Sequence, residues 1–243
     1  MDRKDFEIEI CTGNIGSVLA ADRGGADRVE LCENLAEGGT TPSFGTMVLA
    51  KEKSSLAVYV IIRPRGGDFV YSDTEMEVML RDIQSAVEMG ADGMVIGCLK
   101  PDGRVDLEKC RRLMEAGRGL PVTFHRAFDL TPDPFEALED IKSMGISRIL
   151  TSGQKEKAED GMELLRELAK NAGTGLRIMA GSGIDESNIR ALALGTGLHS
   201  FHASLREIAG ERSPAGRKAV LDSHYQLTKE ERVRALIKLM GDL

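Results

Sequence analysis

One short pattern, repeated four times along the 243 residues, constrains the fold more than any other feature of the sequence. It is a glycine that ends a helical stretch, followed at once by a short apolar strand. The copies are Gly25-Ala26-Asp27-Arg28-Val29-Glu30-Leu31-Cys32, Gly90-Ala91-Asp92-Gly93-Met94-Val95-Ile96-Gly97, Gly145-Ile146-Ser147-Arg148-Ile149-Leu150-Thr151-Ser152 and Gly195-Thr196-Gly197-Leu198-His199-Ser200-Phe201-His202. Each glycine stands where a left-handed helix C-cap is expected, and Met76, Met79, Leu80, Ile83 and Val87 before Gly90 keep helical spacing. Four other short apolar segments, residues 6–11, 56–63, 121–125 and 176–180, fall between the copies. Strand and helix therefore alternate eight times, ending in an amphipathic helix expected over residues 228–240. The pattern predicts an α/β chain, a single-domain (β/α)8 TIM barrel with room for an irregular last unit and an extra C-terminal helix. The main alternative, an open doubly wound sheet, usually carries Gly-x-Gly-x-x-Gly after its first strand, and here that turn reads Cys11-Thr12-Gly13-Asn14-Ile15-Gly16. Asp133, Pro134 and Glu136 supply an N-cap, a first-turn proline and a box-closing carboxylate for one helix, and residues 210–216 read as a long connection.

Composition narrows the partners. Hydrophobic residues make up 42% and charged residues 29%, which suits a chain with a sizeable core. The balance of 32 Lys+Arg against 39 Asp+Glu, with no basic cluster interleaved with aromatics, argues against a nucleic-acid surface. The longest apolar run, residues 56–62, falls far short of the ~20 residues of a spanning helix. The start of the chain has no signal-peptide pattern, so the expected location is the cytoplasm. There the widely spaced Cys11, Cys32, Cys98 and Cys110 are expected to be thiols, with Cys98 and Cys110 inert.

Alternate residues of a barrel strand point inward, so parity sorts the strands. Phe6, Ile8 and Ile10 form one face of the first strand, leaving Glu7, Glu9 and Cys11 inside; Val29 and Leu31 leave Arg28, Glu30 and Cys32. The C-terminal ends, where barrel enzymes keep their chemistry, then carry Arg63, Arg65 and Asp68, next His125, Arg126 and Asp129, and finally Gly181-Ser182-Gly183 and His202. Glu9 and Glu30 facing Arg63 and Arg65 form either an ion-pair network or a ligand site. His125 and His202 are each either structural imidazoles or acid/base groups. Gly66-Gly67-Asp68 reads as a mouth loop, and Gly181, Ser182 and Gly183 as a turn or an anion cradle. Cys11 and Cys32 lie on neighbouring strands ~4.8 Å apart. Their thiols either bury as small hydrophobes or present the pair of soft donors that suits Cu(I).

These residues carry a resemblance to the CutC family, the copper homeostasis proteins, over nearly the whole chain. The stretches that carry it are Glu9-Ile10-Cys11, Gly25 through Cys32, Glu37-Gly38-Gly39-Thr40-Thr41-Pro42-Ser43, Ile62-Arg63-Pro64-Arg65-Gly66-Gly67-Asp68-Phe69, Tyr71-Ser72-Asp73, Val122-Thr123-Phe124-His125-Arg126-Ala127-Phe128-Asp129 and Leu150-Thr151-Ser152-Gly153-Gln154. The resemblance implies one cytoplasmic barrel domain over residues 1–243, a homo-oligomer, a copper role, and Cys11 and Cys32 as Cu(I) ligands. It weakens over residues 205–221. Copper chemistry leaves much mouth polarity unused. The alternative expectation is therefore a barrel enzyme on a small carboxylate or phosphorylated substrate. In it Glu30, His125 and Asp129 are the acid/base candidates, and Arg63, Arg65, Asp68, Arg126, Gly181, Ser182 and Gly183 hold the ligand.

Overall fold

Eight parallel strands close on themselves: β1 (Glu7–Thr12), β2 (Arg28–Leu31), β3 (Ala57–Ile61), β4 (Gly93–Ile96), β5 (Val122–Phe124), β6 (Arg148–Thr151), β7 (Arg177–Gly181) and β8 (Ser200–Ala203), with β8 pairing back onto β1. The computed structural model describes residues 3–209 and 225–241. Helices α1 (Ile15–Gly24), α2 (Phe44–Lys53), α3 (Asp73–Glu88), α4 (Leu107–Ala116), α5 (Pro134–Ser143), α6 (Met162–Ala172), α7 (Ile189–Thr196) and α8 (Glu230–Gly241) follow the strands in turn. The C-terminal helix is thus the eighth, and no further helix follows it among the described residues. The last unit is irregular, as expected. Between β8 and α8 a small antiparallel pair, β9 (Arg206–Ile208) and β10 (Gln226–Thr228), leaves the barrel. The connection expected over residues 210–216 lies outside the described residues.

Local chemistry sets these boundaries. Asn14, Ser43, Asp106 and Asp133 cap their helices through the side chain, and Ser72 with Glu75 forms a full capping box on α3. Gly25 ends α1 in the left-handed conformation, at φ 86°. In the fourth repeat that role falls to Gly197 (φ 71°) instead of Gly195, which lies inside α7 against Met162. Counted from Gly197, every copy has a glycine, a buried apolar residue, a polar residue, and then the strand. The polar residue is a hook. Asp27 accepts the Ile8 N–H of β1 at 2.7 Å, Asp92 accepts the Val58 N–H of β3 at 2.8 Å, and the Ser147 hydroxyl donates to Val122 O at 3.1 Å. In the fourth copy the His199 ring lies 3.1 Å from Asp5 O, beside the start of β1.

The strand parity is as expected. Ile8, Ile10, Val29, Leu31, Val58, Val60, Met94, Ile96, Phe124, Ile149, Ile178 and Phe201 pack outward against the helices as one core. A second, small cluster of Cys32, Tyr59, Ile61 and Val95 fills part of the interior. At the floor of the barrel Arg28 lies 4.4 Å from the centre of the Tyr59 ring, and Tyr59 occupies the space left by Gly93 on β4.

Candidate functional site

The site begins at the seam where β8 closes on β1. Register places Glu9 opposite Arg28 on one side and His202 on the other, while Cys11 stands opposite Glu30. Glu9 is fully buried. Its carboxylate accepts from Arg28 Nε at 2.5 Å and lies 2.6 Å from His202 Nδ1. Burial pushes the Glu9 carboxyl up, but Arg28 and then His202 more than offset this and hold it at about 2. His202 reaches the other way through Nε2, 3.6 Å from Glu30, and contacts the Cys11 sulfur. Burial opposes its protonation. The bonds to Cys11 and Glu9 and the nearby carboxyl charges prevail and raise His202 well above the ordinary imidazole range.

Cys11, Glu30 and Cys32 offer one ligand atom each within 4.8 Å of one another. Cys11 is partly accessible and Cys32 buried. The Cys11 thiol is held well below its usual range, first by a hydrogen bond from Cys32 and then, against burial, by His202. The same contact and burial push Cys32 up. Burial and the neighbouring Cys11 charge push Glu30 up. Cys32 and His202 thus favour the thiolate form of Cys11, while burial and the neighbouring charge favour the protonated form of Glu30.

Arginines 63 and 65 do not face the glutamates across the barrel, because Arg28 and His202, one strand away on either side, take Glu9 first. Arg63 instead donates from Nη1 to Glu37 O (2.7 Å) and Gly39 O (2.8 Å) and from Nη2 to Gly67 O (2.7 Å), tying two mouth loops together. Arg65 lies outside this ring on Glu75 (2.5 Å) and Asp68 (3.1 Å), and Asp68 is exposed. Asp129 accepts from Thr151, Ser152, Gln154 and, at 2.8 Å, Arg126. It joins the ends of β5 and β6. His125 tops β5, buried, with Nδ1 accepting from Ala127 N at 3.2 Å. Burial and the Arg63 charge push its pKa down to about 3, so it is neutral. At the end of β7 Gly181 faces the interior against Leu150 and His202, Ser182 donates to Glu156 O at 2.6 Å, and Gly183 O accepts from Asn188 at 2.8 Å. The structure thus gathers Cys11, Cys32 and Glu30 on the β1–β2 side. Arg63 follows the neighbouring strand β3, His125 tops β5, and Arg126, Asp129 and residues 181–183 are on other loops.

Three residues of the mouth were under-weighted by sequence reasoning: the pair Glu9 and His202, and Tyr71, whose buried hydroxyl lies beside Arg63. The first pair is separated by nearly the whole chain, and only barrel closure unites it. The inward parity of both was the available signal. Tyr71 follows the mouth loop and gave no periodic signal.

Fold and site together define a (β/α)8 barrel with a cluster of two cysteines, two glutamates and a histidine at its C-terminal mouth. The chain belongs to the CutC family, whose profile matches residues 6–207. It is 50% identical over 205 residues to a CutC family protein of Bacteroides fragilis, covering 84% of this chain and 82% of that one. It is 45% identical over 235 residues to one of Xanthomonas campestris pv. campestris, covering 96% and 98%. A crystal structure from Streptococcus agalactiae, described as a candidate copper homeostasis protein CutC, superposes with a TM-score of 0.79 at 35% identity, covering 82% of this chain and 98% of that one.

Proposed function

We propose that the protein binds Cu(I) as cargo through Cys11 and Cys32 at the barrel mouth, in the service of copper homeostasis. The observation that carries this reading is the convergence of two sulfurs and a Glu30 oxygen within 4.8 Å. Two thiolates fit a soft monovalent ion, whereas the single carboxylate adds little for it. The downward shift of Cys11 favours its thiolate as a ligand, and Cys32, shifted upward, gives up its proton on binding. We place this activity in the cytoplasm, where the cysteines stay reduced, and in a homo-oligomer, as the family resemblance supports; no helix among the described residues is long and apolar enough to cross a membrane. The test is anaerobic competition for Cu(I) against a calibrated chelator. Stoichiometric binding that is lost in Cys11→Ser/Cys32→Ser supports the reading. Equal, weak binding in both proteins overturns it.

A second reading, an enzyme acting on a small anionic substrate, is favoured by one observation. Cys11, His202 and Glu9 stand in the order nucleophile, proton donor and orienting carboxylate, with 2.6 Å between the last two. It loses its support if no small carboxylate or phosphorylated compound raises the melting temperature of the metal-free protein.

A further inference from the structure

At the ends of β3 and β5 and on the loop after β3, three buried polar atoms have no hydrogen-bond partner: Arg63 Nε, the Tyr71 hydroxyl and His125 Nε2. Their residues are 3%, 2% and 4% exposed, so bulk water does not serve them. Native interiors leave few such groups unpaired, because each costs desolvation with nothing in return. All three present a hydrogen. A guanidinium nitrogen only donates. His125 uses Nδ1 as acceptor for the Ala127 N–H, which leaves the proton on Nε2. Burial pushes the Tyr71 phenol up, so it keeps its proton.

They also belong to one place. The Phe69 ring lies between Arg63, 4.9 Å from its centroid, and the His125 ring, 4.7 Å from it. Gly97, just past β4, has no side chain, and the His125 ring, just past β5, occupies the space where its Cβ would stand, leaning over the end of β4 on the side of β3. The Tyr71 hydroxyl lies beside the same guanidinium, close enough for its proximity to oppose the upward push of burial, but outside hydrogen-bond geometry to it.

Charge adds a second, independent reason. Arg63 is a buried cation whose partners are backbone carbonyls, and no carboxylate pairs with it among the described residues. A buried charge without a counter-charge is costly, and water bridging the three donors would leave that charge in place. What would satisfy both the donors and the charge is an acceptor-only group of charge −1.

We propose that Arg63, Tyr71 and His125 form a binding site for the carboxylate of a small organic acid, roofed by the loop that carries Phe69. One permanent cation and two neutral donors balance a single carboxylate, whereas a phosphate dianion would exceed the available charge. The site requires neither copper nor turnover. It adjoins the thiol cluster, since Gly39, whose carbonyl anchors Arg63, packs on the Cys32 sulfur.

The test is a titration of isotopically labelled, metal-free protein followed through the Arg63 Nε–H resonance, with acetate in one arm, inorganic phosphate in a second, and chloride at matched ionic strength as control. The expected result is a saturable downfield shift with acetate. Loss of one charge-assisted donor should weaken that affinity by about tenfold or more in Tyr71→Phe and in His125→Phe, both of which keep a ring in place. Saturation unchanged in Cys11→Ser/Cys32→Ser would separate this site from the copper reading. The proposal is overturned if acetate gives no saturable shift, if both ring variants bind it as well as the parent, or if phosphate binds more tightly through the same residues.

Discussion

Replacing Glu9 with Gln removes one charge from the centre of the barrel and leaves the volume unchanged. In the native protein the carboxylate is held by Arg28 at 2.5 Å and His202 at 2.6 Å, with no exposed surface. Its pKa falls from 4.5 to about 2 on folding. At about 1.4 kcal/mol per pH unit, that depression is worth about 3 kcal/mol of stability once the group is ionised in both states. The figure agrees with the loss of roughly 3–5 kcal/mol that follows removal of one partner from a buried pair. The sign follows from the direction of the shift. Because the folded pKa lies below the unfolded one, the contribution is complete above pH 4.5 and fades as pH falls toward 2. Urea unfolding of parent and Glu9→Gln should therefore differ by about 3 kcal/mol at pH 7, and the gap should narrow on acidification below about pH 4. A difference under about 0.5 kcal/mol at pH 7, or a gap that does not respond to acid, would refute the assignment of Glu9 as the charge that binds β1 to β2 and β8.

Two further outcomes follow from the same interior. Gly93→Ala places a Cβ inside the Tyr59 ring, so chemical unfolding should show a loss of about 1–3 kcal/mol, and a neutral result would mean that the barrel floor has slack. In metal-free protein at pH 7, iodoacetamide should label Cys11 ahead of buried Cys32, Cys98 and Cys110, and His202→Gln should slow that labelling; mass spectrometry showing Cys11 no faster than a cysteine in an unstructured peptide would contradict the thiolate.

Much of this architecture was legible in the sequence, for a simple reason. The strands carry no bulge among their paired residues, so period-two parity sorts Glu7, Glu9, Cys11, Arg28, Glu30 and Cys32 to the interior without error. The fourth repeat was misplaced by two residues because Gly195 and Gly197 both resemble a cap. The polar hook stands immediately before its strand in each copy, plain as Asp27 and Asp92 but disguised as His199 before β8. Partnerships were less legible than positions. Nothing local tells Glu9 to choose Arg28 and His202 over Arg63, since that depends on the stagger of parallel strands and on closure between the ends of the chain. Nor does local pattern show that His125 crosses Gly97, or that Arg63 spends its terminal nitrogens on backbone carbonyls.

The charges inside the barrel form an unbroken ladder. Exposed Arg177 and buried Arg148 grip Glu7 at the floor, Glu7 pairs with Arg28, Arg28 with Glu9, Glu9 with His202, and His202 with Cys11 at the rim. Barrels are usually treated as modular, with one end for durability and the other free to vary its chemistry. Here the two ends are wired in series. The contacts run without a break from the underside to Cys11, so any lineage or designer wishing to remake the rim inherits the foundations as part of the same circuit.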